Sequence, residues 1–225
     1  MKRGEVVIHF LDPEALSEAL AFEILSDEER LRAERFRSKA DAQRWGSFRA
    51  QVRTILGQTL GLNPLDVPIL LSEQGKPLLA PPHAGLHFNL SHCSDLGVIG
   101  LCLDGPIGVD IEPLDRNASL QECELIFCHP EEIASLPGDG PLRAKRLLEI
   151  WTAKEAILKA LGTGLMHPPE RIYLDLSSPV GMAKSDIFVN NISDLRIYTI
   201  QDRLLANHHA VIAVPRTVRS FRILG

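Results

Sequence analysis

No part of this chain approaches the roughly 18 consecutive apolar residues of a membrane-spanning helix. The opening residues, Met1-Lys2-Arg3-Gly4-Glu5, lead into a short apolar run at 6–11 that His9 interrupts and Asp12-Pro13 ends. That run is too short and too polar for a secretory signal, so the expectation is a soluble cytoplasmic protein with no membrane partner. Cysteine is scarce: Cys93, Cys102, Cys123 and Cys128 are the only four in 225 residues, and no two have Cys-x-x-Cys spacing. This excludes the paired-cysteine zinc knuckle and points to reduced thiols. Positive charge is not in excess, since 24 Lys and Arg face 29 Asp and Glu for a net charge of −5, which argues against nucleic acid as a partner. Disorder has no compositional footing either, because 45% hydrophobic residues suffice for one large domain or two small ones with real cores.

What the chain does have centres on residues 107–112, Ile-Gly-Val-Asp-Ile-Glu. Apolar and other residues alternate there, which predicts a strand with Asp110 and Glu112 on one face. Two residues of strand separate their backbones by roughly 6.5 Å, near enough for both carboxylates to lean onto one cation. Oxygen-only ligands on a rigid element suit Mg²⁺, which takes one or two carboxylates together with substrate phosphates. Taken alone, the segment reads more simply as a half-exposed strand with a solvated acidic face.

The charge is unevenly placed. Between Arg30 and Arg53 eight basic residues stand against Glu34 and Asp41, a local excess of six. For most of them a solvated helical face is the simpler reading; the functional one is an anion-binding surface of guanidinium forks. The Ser-x-x-Glu pattern of Ser26 to Glu29 predicts a capped helix start. Trp45, Phe48, Val52, Ile55 and Leu56 recur at helical spacing, giving a second helix that ends near Gly61. After a strand at 67–71, the turn Glu73-Gln74-Gly75-Lys76-Pro77 pins Lys76 between a permissive and a rigid residue, where its cation can await a phosphate. Ser91-His92 cannot easily form a nucleophile–base pair, because neighbours on an extended chain point to opposite sides. Both read instead as ligand-holding donors, with a structural histidine as the even alternative.

The clearest helix spans 141–161 and stops at Gly162-Thr163-Gly164. Lys154 falls inside its apolar arc with Leu147, Ile150, Trp151, Ile157, Leu158 and Leu161, so it must snorkel or meet a negative partner. Glu155 and Lys159 lie at i and i+4 on the arc's edge, which by itself describes an ordinary surface pair. Short alternating runs at 171–176, 195–200, 210–214 and 218–223 predict strands of an antiparallel sheet.

In order and spacing, Gly75-Lys76-Pro77, Phe88-Asn89-Leu90-Ser91-His92, Gly108-Val109-Asp110-Ile111-Glu112, the run Trp151-Thr152-Ala153-Lys154-Glu155-Ala156-Ile157-Leu158-Lys159, and Gly162-Thr163-Gly164-Leu165 resemble the 4′-phosphopantetheinyl transferases of the Sfp type. The resemblance implies transfer of the phosphopantetheine arm of coenzyme A to a serine of an apo acyl or peptidyl carrier protein, with release of 3′,5′-ADP. It implies Mg²⁺ held by Asp110, Glu112 and Glu155, with Glu155 also counted among the catalytic groups. Lys159 resembles the lysine near the scissile phosphate. Lys76, Pro77, Ser91, His92 and Lys154, together with Arg32 and Arg44 of the early basic region, match positions that hold coenzyme A. Glu131, in Phe127-Cys128-His129-Pro130-Glu131, resembles the glutamate of a Phe-Ser-x-x-Glu motif proposed as the base for the carrier serine, although Cys128 stands at the serine position.

The fold implied is α+β: two similar halves related by a pseudo-twofold, each an antiparallel sheet packed with helices, with the site in the cleft between them. Asp104-Gly105-Pro106 marks a boundary, giving halves 1–105 and 106–225 in a monomer. Two alternatives stay open: a metal-dependent nucleotide pyrophosphate hydrolase without a protein acceptor, and a non-catalytic module that binds coenzyme A or carrier proteins.

Overall fold

A computed structural model of the chain describes residues 1–174, 185–188 and 195–224. In order, strand β1 (Glu5–Leu11) leads to helices α1 (Glu18–Ile24), α2 (Asp27–Glu34) and α3 (Lys39–Leu60). The hairpin β2 (Ile69–Leu71) and β3 (Pro77–Leu79) follows, then β4 (His87–His92), β5 (Gly97–Cys102) and β6 (Gly108–Pro113). Short helices α4 (Asn117–Gln121), α5 (Glu124–Phe127) and α6 (Pro130–Ser135) precede the long α7 (Pro141–Leu161). The chain continues through β7 (Tyr173–Leu174), β8 (Ser185–Phe188), β9 (Leu195–Thr199), β10 (His208–Pro215) and β11 (Ser220–Leu224).

The strands form two main sheets, β11-β1-β5-β4 and β6-β10-β9-β8-β7. Alternation along each strand decides what every face meets. On β5, Val98 and Cys102 turn toward Ile107, Val109, Ile111, Ala210 and Ile212 of the other sheet, while Ile99 and Leu101 turn toward Phe48, Val52 and Leu56 of α3. On β10, Val211 and Ala213 join the cluster built on Leu147, Ile150 and Ile157 of α7. The layers therefore run helix, sheet, sheet, helix, an α+β architecture whose two sheets share one apolar seam. The face of β6 opposite that seam, carrying Gly108, Asp110 and Glu112, looks at α7.

Helix boundaries follow their capping signals. Ser26 caps α2 in a full capping box with Glu29, and Gly61 and Gly162, at φ of 71° and 72°, close α3 and α7 in the left-handed conformation. The strand expected at 218–223 forms as β11, but it lies parallel beside β1 rather than in the antiparallel sheet. Val218 and Ile223 pack with Val6 and Ile8, so the seam between the sheets draws the chain's last strand to the first sheet's open edge. Residues 175 and 176 of the strand expected at 171–176 fall outside the described residues. Among those described, no helix is long and apolar enough to cross a membrane.

Candidate functional site

The site begins with a glycine. A Cβ on Gly108 would sit 1.9 Å from the Ala156 carbonyl oxygen and 2.3 Å from the Ala160 nitrogen, so β6 and α7 cross at backbone contact. That crossing places one stripe of α7, Trp151, Glu155 and Lys159 at i, i+4 and i+8, over the polar face of β6. Trp151 Nε1 donates to Glu112 Oε1 at 2.9 Å, and Lys159 Nζ donates to Asp110 Oδ1 at 2.6 Å. Glu155 lies one turn from each, between them. The stripe covers roughly 12 Å of helix, and the two acids roughly 6.5 Å of strand; the long side chains make up the difference.

The charges of Asp110, Glu112 and Glu155 act on one another. Burial pushes the Asp110 carboxyl up, the Lys159 ammonium opposes the rise, and Glu112 adds to it. Burial and then the Asp110 charge push Glu155 up, while Lys159 draws it back. Asp110 Oδ1 also accepts from Ser91 Oγ at 3.0 Å, but its Oδ2 is buried with no hydrogen-bond partner among the described residues. Arg116 donates to Glu112 Oε1. Among the described residues, no three His, Cys, Asp or Glu side chains are gathered closely enough to hold a metal ion.

Beside this cluster opens a cavity of about 380 Å³, which brings together the expected Arg32, Pro77, Ser91, His92 and Lys159. Lys159 belongs to both places, since it lines the cavity and bonds Ser91 at 2.8 Å and Asp110. Sequence reasoning missed three of the walls: Trp45 and Phe48, read as core residues of a helical stripe, and Arg49. Arg32 lies over the Trp45 ring at 5.2 Å, and His92 stacks on Phe48 at 4.8 Å between centroids. Burial holds the His92 imidazole below its usual range, with the Lys159 and Arg44 charges adding to the effect. Asn89 also lines the cavity, and its Oδ1 accepts from Val109 N at 2.8 Å, tying the facing edges of the two sheets together. Of the basic run, Arg53 is buried against Glu29 and three carbonyls, and Arg49 pairs with the same Glu29. Part of the local charge excess is therefore spent on holding α2 to α3.

Four expected site residues stand elsewhere. Lys154 is 0% exposed, its ammonium donating to Glu132 at 2.6 Å and the Phe127 carbonyl at 2.7 Å, so it holds α6 to α7 and does not reach the cavity. At the start of α6, His129 is the cap, and its reciprocal partner three residues on is Glu132. Glu131 is exposed in the first turn of α6, where its amide donates to the His129 side chain. The Lys76 ammonium is not turned to a phosphate but to the carbonyls of Ile107, Lys159 and Ala160 at 3.2, 2.5 and 3.1 Å, closing the C-terminus of α7. Arg44 pairs with Asp41 on the surface at 2.9 Å.

A family model described as "4′-phosphopantetheinyl transferase superfamily" matches residues 106–212, and one described as "4′-phosphopantetheinyl transferase, N-terminal" matches residues 12–102. The chain is 36% identical over 158 residues to the 4′-phosphopantetheinyl transferase HetI of Nostoc sp., a match covering 68% of this chain and 65% of that protein. It is 32% identical over 144 residues to the 4′-phosphopantetheinyl transferase Sfp of Bacillus subtilis, covering 64% and 63%. Matches to the first relatives span 58%, 65% and 61% of their length. Among solved structures, the holo-[acyl-carrier-protein] synthase of Thermotoga maritima matches over 49% of this chain and 62% of that chain, at 20% identity and a TM-score of 0.38.

Proposed function

This chain belongs to the 4′-phosphopantetheinyl transferase superfamily, Sfp type, and we propose that it transfers the phosphopantetheine arm of coenzyme A to a serine of an apo acyl or peptidyl carrier protein. The observation that carries the reading is the double membership of Lys159, at once a wall of the basic cavity and the partner of Asp110. A coenzyme whose phosphates enter between Arg32, His92 and Lys159 has its pyrophosphate delivered to the carboxylate cluster. The cavity is walled by residues between Arg32 and His92 and is met from α7 by Lys159.

The residues fit a divalent cation. The buried Asp110 Oδ2 is an acceptor with no hydrogen-bond partner among the described residues, and the donor set of Asp110, Glu112 and Glu155 is all oxygen, the preference of Mg²⁺. When bound, the ion supplies charge neutralisation for the pyrophosphate and for the departing 3′,5′-ADP. Lys159 stabilises the negative charge that grows on the transferring phosphoryl oxygens. Ser91, buried against both Asp110 and Lys159, fixes the lysine's direction. Glu155, on the α7 stripe that faces Asp110 and Glu112, takes the proton of the attacking serine, since Glu131 stands exposed on α6.

The test incubates the chain with coenzyme A and Mg²⁺, with and without an apo carrier protein. Mass spectrometry should find one phosphopantetheine arm gained by the carrier, matched by release of 3′,5′-ADP. Asp110→Asn should abolish both with an unchanged circular dichroism spectrum. Coenzyme hydrolysis without a carrier, or full transfer by Asp110→Asn, contradicts the reading.

A further inference from the structure

Arg116 closes the short 3₁₀ turn Leu114–Arg116 that follows β6 directly, four residues beyond Glu112. Its guanidinium donates to Glu112 Oε1, the same oxygen that accepts from Trp151 at 2.9 Å, and it lies over the Trp151 ring at 5.6 Å. Across the cluster Lys159 holds Asp110. Three acids thus face two cations of their own chain, leaving one negative charge where a divalent ion would bind.

The two cations are not equivalent. Lys159 has 28% of its side chain exposed, bonds Ser91 as well as Asp110 and lines the coenzyme cavity. Arg116 has 40% exposed, does not line that cavity, and already lies over the indole face, a contact that does not depend on Glu112. An arriving ion can therefore evict Arg116 without dismantling the phosphate-binding side.

We infer that Arg116 is an internal competitor for the divalent cation, occupying Glu112 in the free protein and leaving that carboxylate when metal binds. Metal then binds weakly alone and firmly only when coenzyme phosphates add their oxygens, because Mg²⁺ relies on substrate phosphates for much of its coordination. The inference rests on the metal assignment proposed above, and the two fail separately.

The experiment titrates the intact chain with Mn²⁺ alone, without coenzyme, and counts the free ion by electron paramagnetic resonance. Removing a partly exposed ion pair and one nearby positive charge in Arg116→Gln should tighten Mn²⁺ binding by roughly 3- to 10-fold. Arg116→Lys keeps the charge and should stay within about twofold of the parent. Asp110→Asn should lose the binding. If Asp110→Asn binds Mn²⁺ as the parent does, the metal assignment falls and takes this inference with it. If Asp110→Asn loses binding but Arg116→Gln is no tighter than the parent, or Arg116→Lys is as tight as Arg116→Gln, competition by Arg116 is refuted and the metal site stands.

Discussion

Gly108→Ala offers the sharpest test of how this fold makes its site. The added methyl would stand 1.9 Å from one backbone atom of α7 and 2.3 Å from another, where roughly 3.5 Å is needed. Neither atom can rotate away, so the helix must retreat by roughly 1 to 1.5 Å. Overpacking costs about 1–3 kcal/mol when side chains yield, and a clash with backbone belongs at the top of that range or above it. At a urea m-value of about 2–3 kcal/mol/M, the unfolding midpoint should fall by about 1 M. The molecules still folded should also be poor catalysts, because the retreat carries Lys159 and Glu155 off the Asp110–Glu112 face, and a misplacement of about 1 Å costs on the order of 100-fold in rate. Urea titration and single-turnover transfer to an apo carrier give the two readouts. Gly85→Ala is the control, since its Cβ would meet nothing within 4 Å, and its stability should change by less than about 0.5 kcal/mol. If Gly108→Ala matches Gly85→Ala in both midpoint and transfer rate, the strand–helix crossing is not what positions the site.

Lys154→Met should destabilise the fold by about 3–5 kcal/mol, since it strands the buried Glu132 carboxylate; adding Glu132→Gln should recover part of the loss. Transfer per folded molecule should stay near the parent value, and a selective rise in KM for coenzyme A would restore Lys154 to the binding set. Iodoacetamide at pH 8 should label exposed Cys123 and spare Cys93 and Cys128, whose thiols burial pushes up to about 12; peptide mapping that finds Cys128 modified in the native state would contradict its place under α7. Burial first, and the Arg222 charge second, hold the His9 imidazole below its usual range. The unfolded chain therefore takes up this proton before the folded one, so the stability involved is complete above about pH 6.5 and declines as pH falls below it. His9→Gln should flatten the acid slope of the urea midpoint between pH 7 and 5, and an unchanged slope would refute the assignment.

The local layers of this protein were legible in its sequence because local rules govern them. Ser26 and Glu29 announced α2, Gly61 and Gly162 ended their helices, and the alternation of Ile107, Val109 and Ile111 put Asp110 and Glu112 on one face. The requirement that Lys154 meet a negative partner was also readable, since a buried ammonium must be paired. Which partner it meets was not, because Glu132 lies 22 residues away and reaches Lys154 only through the capping of α6 by His129. Lys76 shows the same divide: the turn pins its backbone, but its ammonium runs to carbonyls more than 30 residues along the chain. A motif fixes residue types and order, whereas long side chains can spend the same charge on a ligand or on the fold.

That divide bears on how the site works. Along the stripe Trp151, Glu155 and Lys159, the two outer side chains already have partners on β6, Trp151 on Glu112 and Lys159 on Asp110. A cluster of three carboxylates held at this separation without cations would repel itself, so the chain supplies Lys159 and Arg116 to hold it in the ligand-free protein. The two cations differ in what they touch, and so in what they do once a ligand arrives. On the proposed mechanism Lys159 turns from carboxylate to phosphate within the cavity it lines, whereas Arg116, which does not line that cavity, gives up Glu112 and keeps its place over the Trp151 ring. On that proposal the fold keeps its acids together with one cation that enters the chemistry and another that withdraws from it.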